Sequence, residues 1–300
     1  MKSPNLLKVH CINHFRVSFE KNNIETQKFT ESIIQYNEAG KIVREEQYLM
    51  ENELDYIIIN EYNEKGELTS TSQYNGEQLL VQQNDFFYNE AGILIKQDSY
   101  YGENTIAYTQ KFVYEDGLLI KQDIYEKEQF IFTEKDFLYN EQNLVEREVE
   151  YDEDGEPFYV TTFEYDENGL LIKKVREEIV EKDLRTYEYD YDEHKNKTKE
   201  LIYNYEGMLI AKTYYVYNEE GKLLEKEDED LDHYQKINYT YYGKNLSKIE
   251  TFNSDNKIIS WTEYTYDEND LALSLIHYGV DEMNDKDYRI RMEYHYERAY

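Results

Sequence analysis

The sequence predicts an all-β protein of tandem antiparallel β-hairpin repeats with a period of about 26 residues, forming an elongated, twisted open sheet or superhelical ribbon. Three observations predict it. A turn phrase recurs at fixed spacing, aromatic residues alternate with period two on either side of it, and only two prolines occur in 300 residues.

The phrase reads tyrosine, Asn or Asp, Glu, any residue, then Gly or Asn, followed by an aliphatic pair. It stands as Tyr36-Asn37-Glu38-Ala39-Gly40, Tyr62-Asn63-Glu64-Lys65-Gly66 and Tyr88-Asn89-Glu90-Ala91-Gly92. Degenerate or shortened copies begin at Tyr114, Tyr139, Tyr165, Tyr191, Tyr217, Tyr242 and Tyr266, and Gly117, Gly169 and Gly221 fill the glycine position in three of them. Successive spacings of these anchor tyrosines are 26, 26, 26, 25, 26, 26, 26, 25 and 24. Asn or Asp suits the first position of a type I turn, where its side chain caps the backbone two residues on. Gly, or Asn at Asn143 and Asn245, then takes the left-handed conformation that closes a G1-bulge hairpin. In that geometry Tyr36 faces Ile42, Tyr62 faces Leu68 and Tyr88 faces Leu94.

Parity extends the pattern into the strands. Two residues before the anchors stand Phe86, Phe112, Phe137, Phe163, Tyr189, Tyr215 and Tyr264. Eight residues after the turn glycine or asparagine stand Tyr48, Tyr74, Tyr100, Tyr125, Tyr151 and Tyr278. Four residues after it, Arg44, Lys96, Lys121, Arg147 and Lys173 form a basic row. Even spacing assigns all three sets to one aromatic face, turned inward, with the cations pairing to carboxylates on neighbouring strands.

A second, looser turn joins successive repeats at Asn75-Gly76, Gly102-Glu103-Asn104, Asp152-Glu153-Asp154-Gly155, Glu206-Gly207 and Ser254-Asp255-Asn256. About twenty strands result, plus end strands. Residues 1–30 read as an N-terminal capping hairpin, with Phe15, Val17 and Phe19 alternating before Lys21-Asn22-Asn23. Residues 31–280 form the array and 281–300 a C-terminal capping strand. In a solenoid each repeat is stabilised mainly by its neighbours, so such ends need caps.

Composition bounds the function. Acidic residues outnumber basic ones 65 to 33, giving a net charge of −32. Charge of that size alone favours disorder, but 34 tyrosines supply packable surface. So negative a chain repels phosphate backbones and anionic membranes, which argues against nucleic acid and membrane and for a protein partner with a basic surface. Cys11 is the single cysteine, so no intrachain disulfide exists. No stretch has the length and apolarity of a secretory core or membrane span, and the expected location is cytoplasmic.

Candidate chemistry is sparse. His10, Cys11 and His14 form the only cluster of soft ligands, but a strand splits them between faces and offers no fourth ligand. The acidic turn at Asp152 lacks the ligand register of an EF-hand loop. No repeat breaks the pattern with a convergent acid, base and nucleophile, so no catalytic residue, metal or cofactor is assigned and the chain is not expected to be an enzyme. Glu153 and Asp154, at a turn, are assigned to partner binding.

The stretch Thr162-Phe163-Glu164-Tyr165-Asp166-Glu167-Asn168-Gly169-Leu170-Leu171 resembles the tyrosine-aspartate (YD) repeats of the RHS family, and similar phrases cover about residues 30–280. The resemblance implies β-sheet repeats of the kind that build shells around secreted toxins and occur in cell-surface proteins. The function expected is a non-enzymatic protein-interaction scaffold, with the resemblance implying an immunity-type or accessory protein of a bacterial RHS-like toxin system. The alternative is a carbohydrate-binding or cell-surface structural module.

Overall fold

A computed structural model describes residues 9–20, 24–49, 52–102, 105–281 and 286–298. The turns Lys21-Asn22-Asn23 and Glu103-Asn104, and the outermost residues of both caps, lie outside the described residues. The described residues hold twenty-two β-strands and no α-helix. They divide into two compact units, one of Met1–Phe86, Ser99–Thr105 and Asn238–Tyr300, the other of Phe87–Asp98 and Ile106–Ile237.

In chain order the strands are β1 (Val9–Glu20), β2 (Ile24–Tyr36), β3 (Ile42–Tyr48), β4 (Leu54–Tyr62), β5 (Leu68–Asn75), β6 (Leu80–Tyr88) and β7 (Leu94–Tyr101). There follow β8 (Ile106–Glu115), β9 (Leu118–Glu126), β10 (Gln129–Tyr139), β11 (Val145–Tyr151), β12 (Pro157–Tyr165), β13 (Leu171–Glu178) and β14 (Asp183–Tyr191). The last eight are β15 (Lys197–Tyr203), β16 (Leu209–Tyr217), β17 (Leu223–Asp230), β18 (Tyr234–Tyr242), β19 (Asn245–Phe252), β20 (Ile258–Tyr266), β21 (Ala272–Asp281) and β22 (Lys286–Arg298).

Each unit is an open antiparallel meander. In the first, β1 to β6 pair in sequence and so do β19 to β22. β1 also pairs with β22, from Val9 opposite Arg298 to Phe19 opposite Arg289. The two segments read as caps thus lie side by side, with β1 between β2 and β22. In the second unit, β8 to β17 pair in sequence.

The turn phrase folds as its chemistry dictates. The Asn37 amide donates to the Lys41 carbonyl at 2.9 Å and the Gly40 amide to the Asn37 carbonyl at 2.9 Å. Asn37 Oδ1 accepts from the amides of Ala39 and Lys41, both at 3.0 Å. Gly40 has φ +74°, in the left-handed region, and each such turn brings a register shift beside its anchor, as between Gln35 and Tyr36. The same backbone pair recurs at Asn63, Asn89, Asn140, Asp166, Asp192, Asn218 and Asp267.

Four of the five connecting turns named from the sequence are not looser, contrary to that reading. Asn75, Asp152, Asn204 and Asn253 close the same two backbone bonds. At the first of these the left-handed residue is Gln78, at φ +61°, rather than Gly76. Gly76 serves another purpose, because a Cβ there would stand 2.2 Å from the Leu54 carbonyl oxygen.

The anchor at Tyr242 needs correction. The loop between β18 and β19 is Gly243-Lys244, with Gly243 at φ +58° and Asn245 already in the strand, outside the left-handed region. It matches the loop Asp116-Gly117 in its length of two residues, although there both residues are left-handed, at +49° and +84°, and here Gly243 alone is. Counting back from that loop makes Tyr241 the equivalent of Tyr114. Tyr242 is 85% exposed, whereas Tyr241 is half-buried.

The bulges also separate rows that parity had merged. Tyr165 opposes Leu171, but the next pair is Glu164 with Lys173, one residue back on one strand and two forward on the other. Lys173 therefore lies on the face opposite the anchor, bonded to Glu164 at 3.1 Å. Likewise Arg44 opposes Gln35, Lys121 opposes Val113 and Arg147 opposes Leu138. The tyrosines eight residues after the turn follow the cations: Tyr151 donates to Asp136 at 2.7 Å, and Asp136 lies 3.6 Å from Lys121. Anchors and the residues two before them keep one face, the anchor face. The basic row and Tyr48, Tyr74, Tyr125 and Tyr151 share the other.

Burial is shallow on both faces. Among the described residues the buried apolar side chains are Phe29, Ile57, Val149 and Leu271, while Phe86, Phe112, Phe137 and Phe163 are half-buried. Cross-strand and inter-repeat pairs replace a deep core. One recurs at constant separation: an anchor hydroxyl donates to the carbonyl twenty residues back, from Tyr62 to Ile42 at 2.9 Å, Tyr139 to Leu119 at 2.8 Å, Tyr165 to Val145 at 2.8 Å, Tyr191 to Leu171 at 2.8 Å, and Tyr217 to Lys197 at 3.0 Å. Each bond ties a hairpin to its predecessor.

Candidate functional site

The turn tips at the two margins of the second unit's meander differ in chemistry, although Leu138, Val216 and Ile172 stand exposed in the strands beside the recurring-phrase turns. At the turns of the recurring phrase the tips are polar, as in Glu141-Gln142-Asn143, Glu167-Asn168-Gly169 and Glu219-Glu220-Gly221. At the connecting turns large apolar side chains stand in solvent: Phe130 is 50% exposed, Val180 66%, Tyr205 65% and Leu231 77%. Connecting turns recur every second strand, so their tips stand about 10 Å apart along this margin. Single exposed apolar residues are ordinary, but a row of them is not.

Glu153 and Asp154 belong to the same margin. Their turn joins β11 to β12, and the next connecting turn, with Ile179 and Val180, joins β13 to β14. Asp152 Oδ1 holds the loop by accepting from the amides of Asp154 at 3.0 Å and Glu156 at 2.9 Å. Glu153 and Asp154 are both exposed at its tip. Sequence reading found this turn but missed its apolar neighbours, because they occupy no fixed place in the repeat phrase.

Just inside that margin, on the anchor face, Tyr159, Arg176, Glu178, Asp183, Arg185 and Tyr187 line a cavity of about 220 Å³. Tyr159 lies six residues before anchor Tyr165, and the β13–β14 register aligns the rest. Arg176 opposes Arg185, Glu178 opposes Asp183, and Lys174 opposes Tyr187. The Arg176 guanidinium lies 3.9 Å over the Tyr159 ring, and Lys174 Nζ lies 3.9 Å over that of Tyr187. Burial, then the charge of Glu178 and a hydrogen bond to it, raises the Tyr159 hydroxyl pKa. Burial lowers that of Lys174, aided by the nearby charges of Arg176 and Lys197. Sequence reasoning named none of these residues, since their meeting depends on register.

Among the described residues no group of His, Cys, Asp and Glu is arranged to hold a metal ion. The side chains of His10, Cys11 and His14 lie outside the described residues. His277 pairs its Nδ1 with Thr262 Oγ1 at 2.9 Å, and burial lowers its pKa.

No family model and no curated protein sequence matches the chain. Among solved structures it is similar to that of TcdB2-TccC3-Cdc42, at 14% identity and a TM-score of 0.39 over 83% of this chain. The chain spans 15% of the length of that protein. It is also similar to a porin-like protein from Bacteroides uniformis, at 11% identity and a TM-score of 0.34, covering 96% of this chain and 98% of that one. Transferrin Binding Protein B from Haemophilus parasuis follows at 7% identity and a TM-score of 0.16, covering 99% of this chain and 76% of that one. These likenesses concern the β fold alone.

Proposed function

We propose that this β-repeat protein is a non-enzymatic interaction scaffold that holds a protein partner with a basic surface along the margin of connecting turns. The observation that carries the reading is the polarity split between the turn tips of the two margins. One margin presents polar tips, the other a spaced row of Phe130, Val180, Tyr205 and Leu231 interrupted by the acidic pair Glu153 and Asp154. Apolar anchors give an interface its affinity, whereas acidic groups on a chain of net charge −32 steer a basic partner to it. The YD-like phrase favours an immunity-type or accessory role beside an RHS-like toxin, in the cytoplasm.

Variant-dependent capture tests this. A protein captured by the parent chain should be lost with Val180→Asp/Leu231→Asp, weakened by Glu153→Lys/Asp154→Lys, and retained by Glu167→Lys on the other margin. Its association should slow as salt is raised. Binding to a glycan array that ignores salt and is lost on Tyr205→Ala would replace the scaffold reading with the carbohydrate-binding one.

A further inference from the structure

We infer that the cavity between Tyr159 and Tyr187 is a binding site for a small zwitterion of dipeptide size, its carboxylate held between Arg176 and Arg185 and its ammonium between Glu178 and Asp183.

The first ground is the pairing. Like charges directly opposite each other across an antiparallel ladder are destabilising. Here two such pairs stand on neighbouring rungs of one face, Arg176 with Arg185 and Glu178 with Asp183. The register sets both cations on one rung and both carboxylates on the next, a dipole along the strand.

The second ground is how weakly these groups satisfy one another. Arg185 Nε lies 3.2 Å from Asp183, Arg176 Nη2 lies 3.4 Å from Glu150, and the Tyr159 hydroxyl lies 3.3 Å from Glu178. Charge-assisted hydrogen bonds normally close to about 2.7–2.9 Å. Elsewhere in the same unit several do, with Lys197–Glu200 at 2.6 Å, Lys199–Asp190 at 2.8 Å and Lys212–Glu229 at 2.8 Å, whereas Lys173–Glu164 at 3.1 Å and Lys121–Asp136 at 3.6 Å stay long like these. Arg176 Nε, moreover, is buried without a hydrogen-bond partner among the described residues.

Size and spacing identify the ligand. Two residues along a strand separate the rungs by about 6.6 Å, and an extended dipeptide spans about 7 Å between its charged ends. A cavity of about 220 Å³ also falls below the roughly 300 Å³ at which drug-sized pockets begin. The Tyr159 and Tyr187 rings supply apolar walls for the ligand's side chains. This site does not depend on the turn margin holding a protein.

Calorimetric titration of the full chain tests it with three probes: alanyl-alanine, its N-acetyl derivative and its C-terminal amide. Alanyl-alanine should bind saturably below about 10 mM. Removing either terminal charge should weaken binding at least tenfold, as should Arg185→Gln, and Lys212→Gln should leave it unchanged. Equal binding of the N-acetyl derivative would reduce the site to a plain anion site, and equal binding of the amide to a cation site; either result overturns the proposal. Failure of alanyl-alanine to saturate overturns it outright. Because the decisive comparison alters the ligand, loss of fold in a variant cannot mimic the expected result.

Discussion

The hydroxyl of Tyr165 donates a 2.8 Å hydrogen bond to the carbonyl of Val145, twenty residues earlier on the neighbouring hairpin. The β11–β12 ladder reaches only to Arg147 opposite Thr162, so beyond that pair this bond takes over the holding of two hairpins together. Burial raises the Tyr165 pKa, which keeps its proton available for donation. Tyr165→Phe removes the donor and leaves the ring. It should cost about 0.5–1.5 kcal/mol in urea unfolding, whereas Tyr165→Ala, which also removes the ring, should cost about 3 kcal/mol or more. Equal losses would mean that the hydroxyl contributes nothing.

Alkaline pH should loosen the fold in a defined window. Burial is the leading cause that pushes Tyr48, Tyr151, Tyr189 and Tyr296 up to about 12, with Glu46 and Asp136 acting further on the first two. An unfolded tyrosine titrates near 10. Folded values above unfolded ones mean that the stabilisation is complete below pH 10 and is lost as pH rises toward 12. Tyrosinate absorbance should therefore appear in two phases, the later one coinciding with loss of β-sheet circular dichroism. A single phase centred at pH 10 with the sheet intact would contradict it.

Two glycines should respond to alanine for different reasons. Gly117→Ala meets no atom within 4 Å but must keep φ +84°, so about 1–2 kcal/mol of strain is expected. Gly76→Ala is not left-handed, yet its Cβ would press on the Leu54 carbonyl at 2.2 Å, and β4 or the turn must move. Thermal unfolding should rank Gly76→Ala as the worse of the two. The reverse order would indicate that the chain yields at Leu54.

Removing residues 1–20 should expose two edges rather than one. β1 is antiparallel to both β2 and β22, so those two strands run parallel to each other and cannot simply close the antiparallel ladder in its absence. Bare edges of that kind recruit other chains. Light scattering should show the truncated protein associating at concentrations where the full chain does not.

Much of this protein was legible in the sequence because its signals are local. Asn37 and Gly40 close a turn through atoms within five residues, and the spacing of about 26 residues repeats that event down the chain, so strand number and hairpin order follow from residue type alone. The face a side chain takes was not legible, because each bulge sets two residues against one and a slip of one residue turns every later side chain over. That is why Lys173 left the face of Tyr165; Tyr241 took the place expected of Tyr242 because the loop after it is only two residues long. Contacts between strands lay further beyond local reach. The length of the turn between Glu178 and Asp183 set Arg176 against Arg185, and only the assembled sheet laid β22 beside β1. Sequence by itself determined which residues bend the chain and how often; tertiary structure alone decided which charges meet, because meeting depends on register summed over every turn between them.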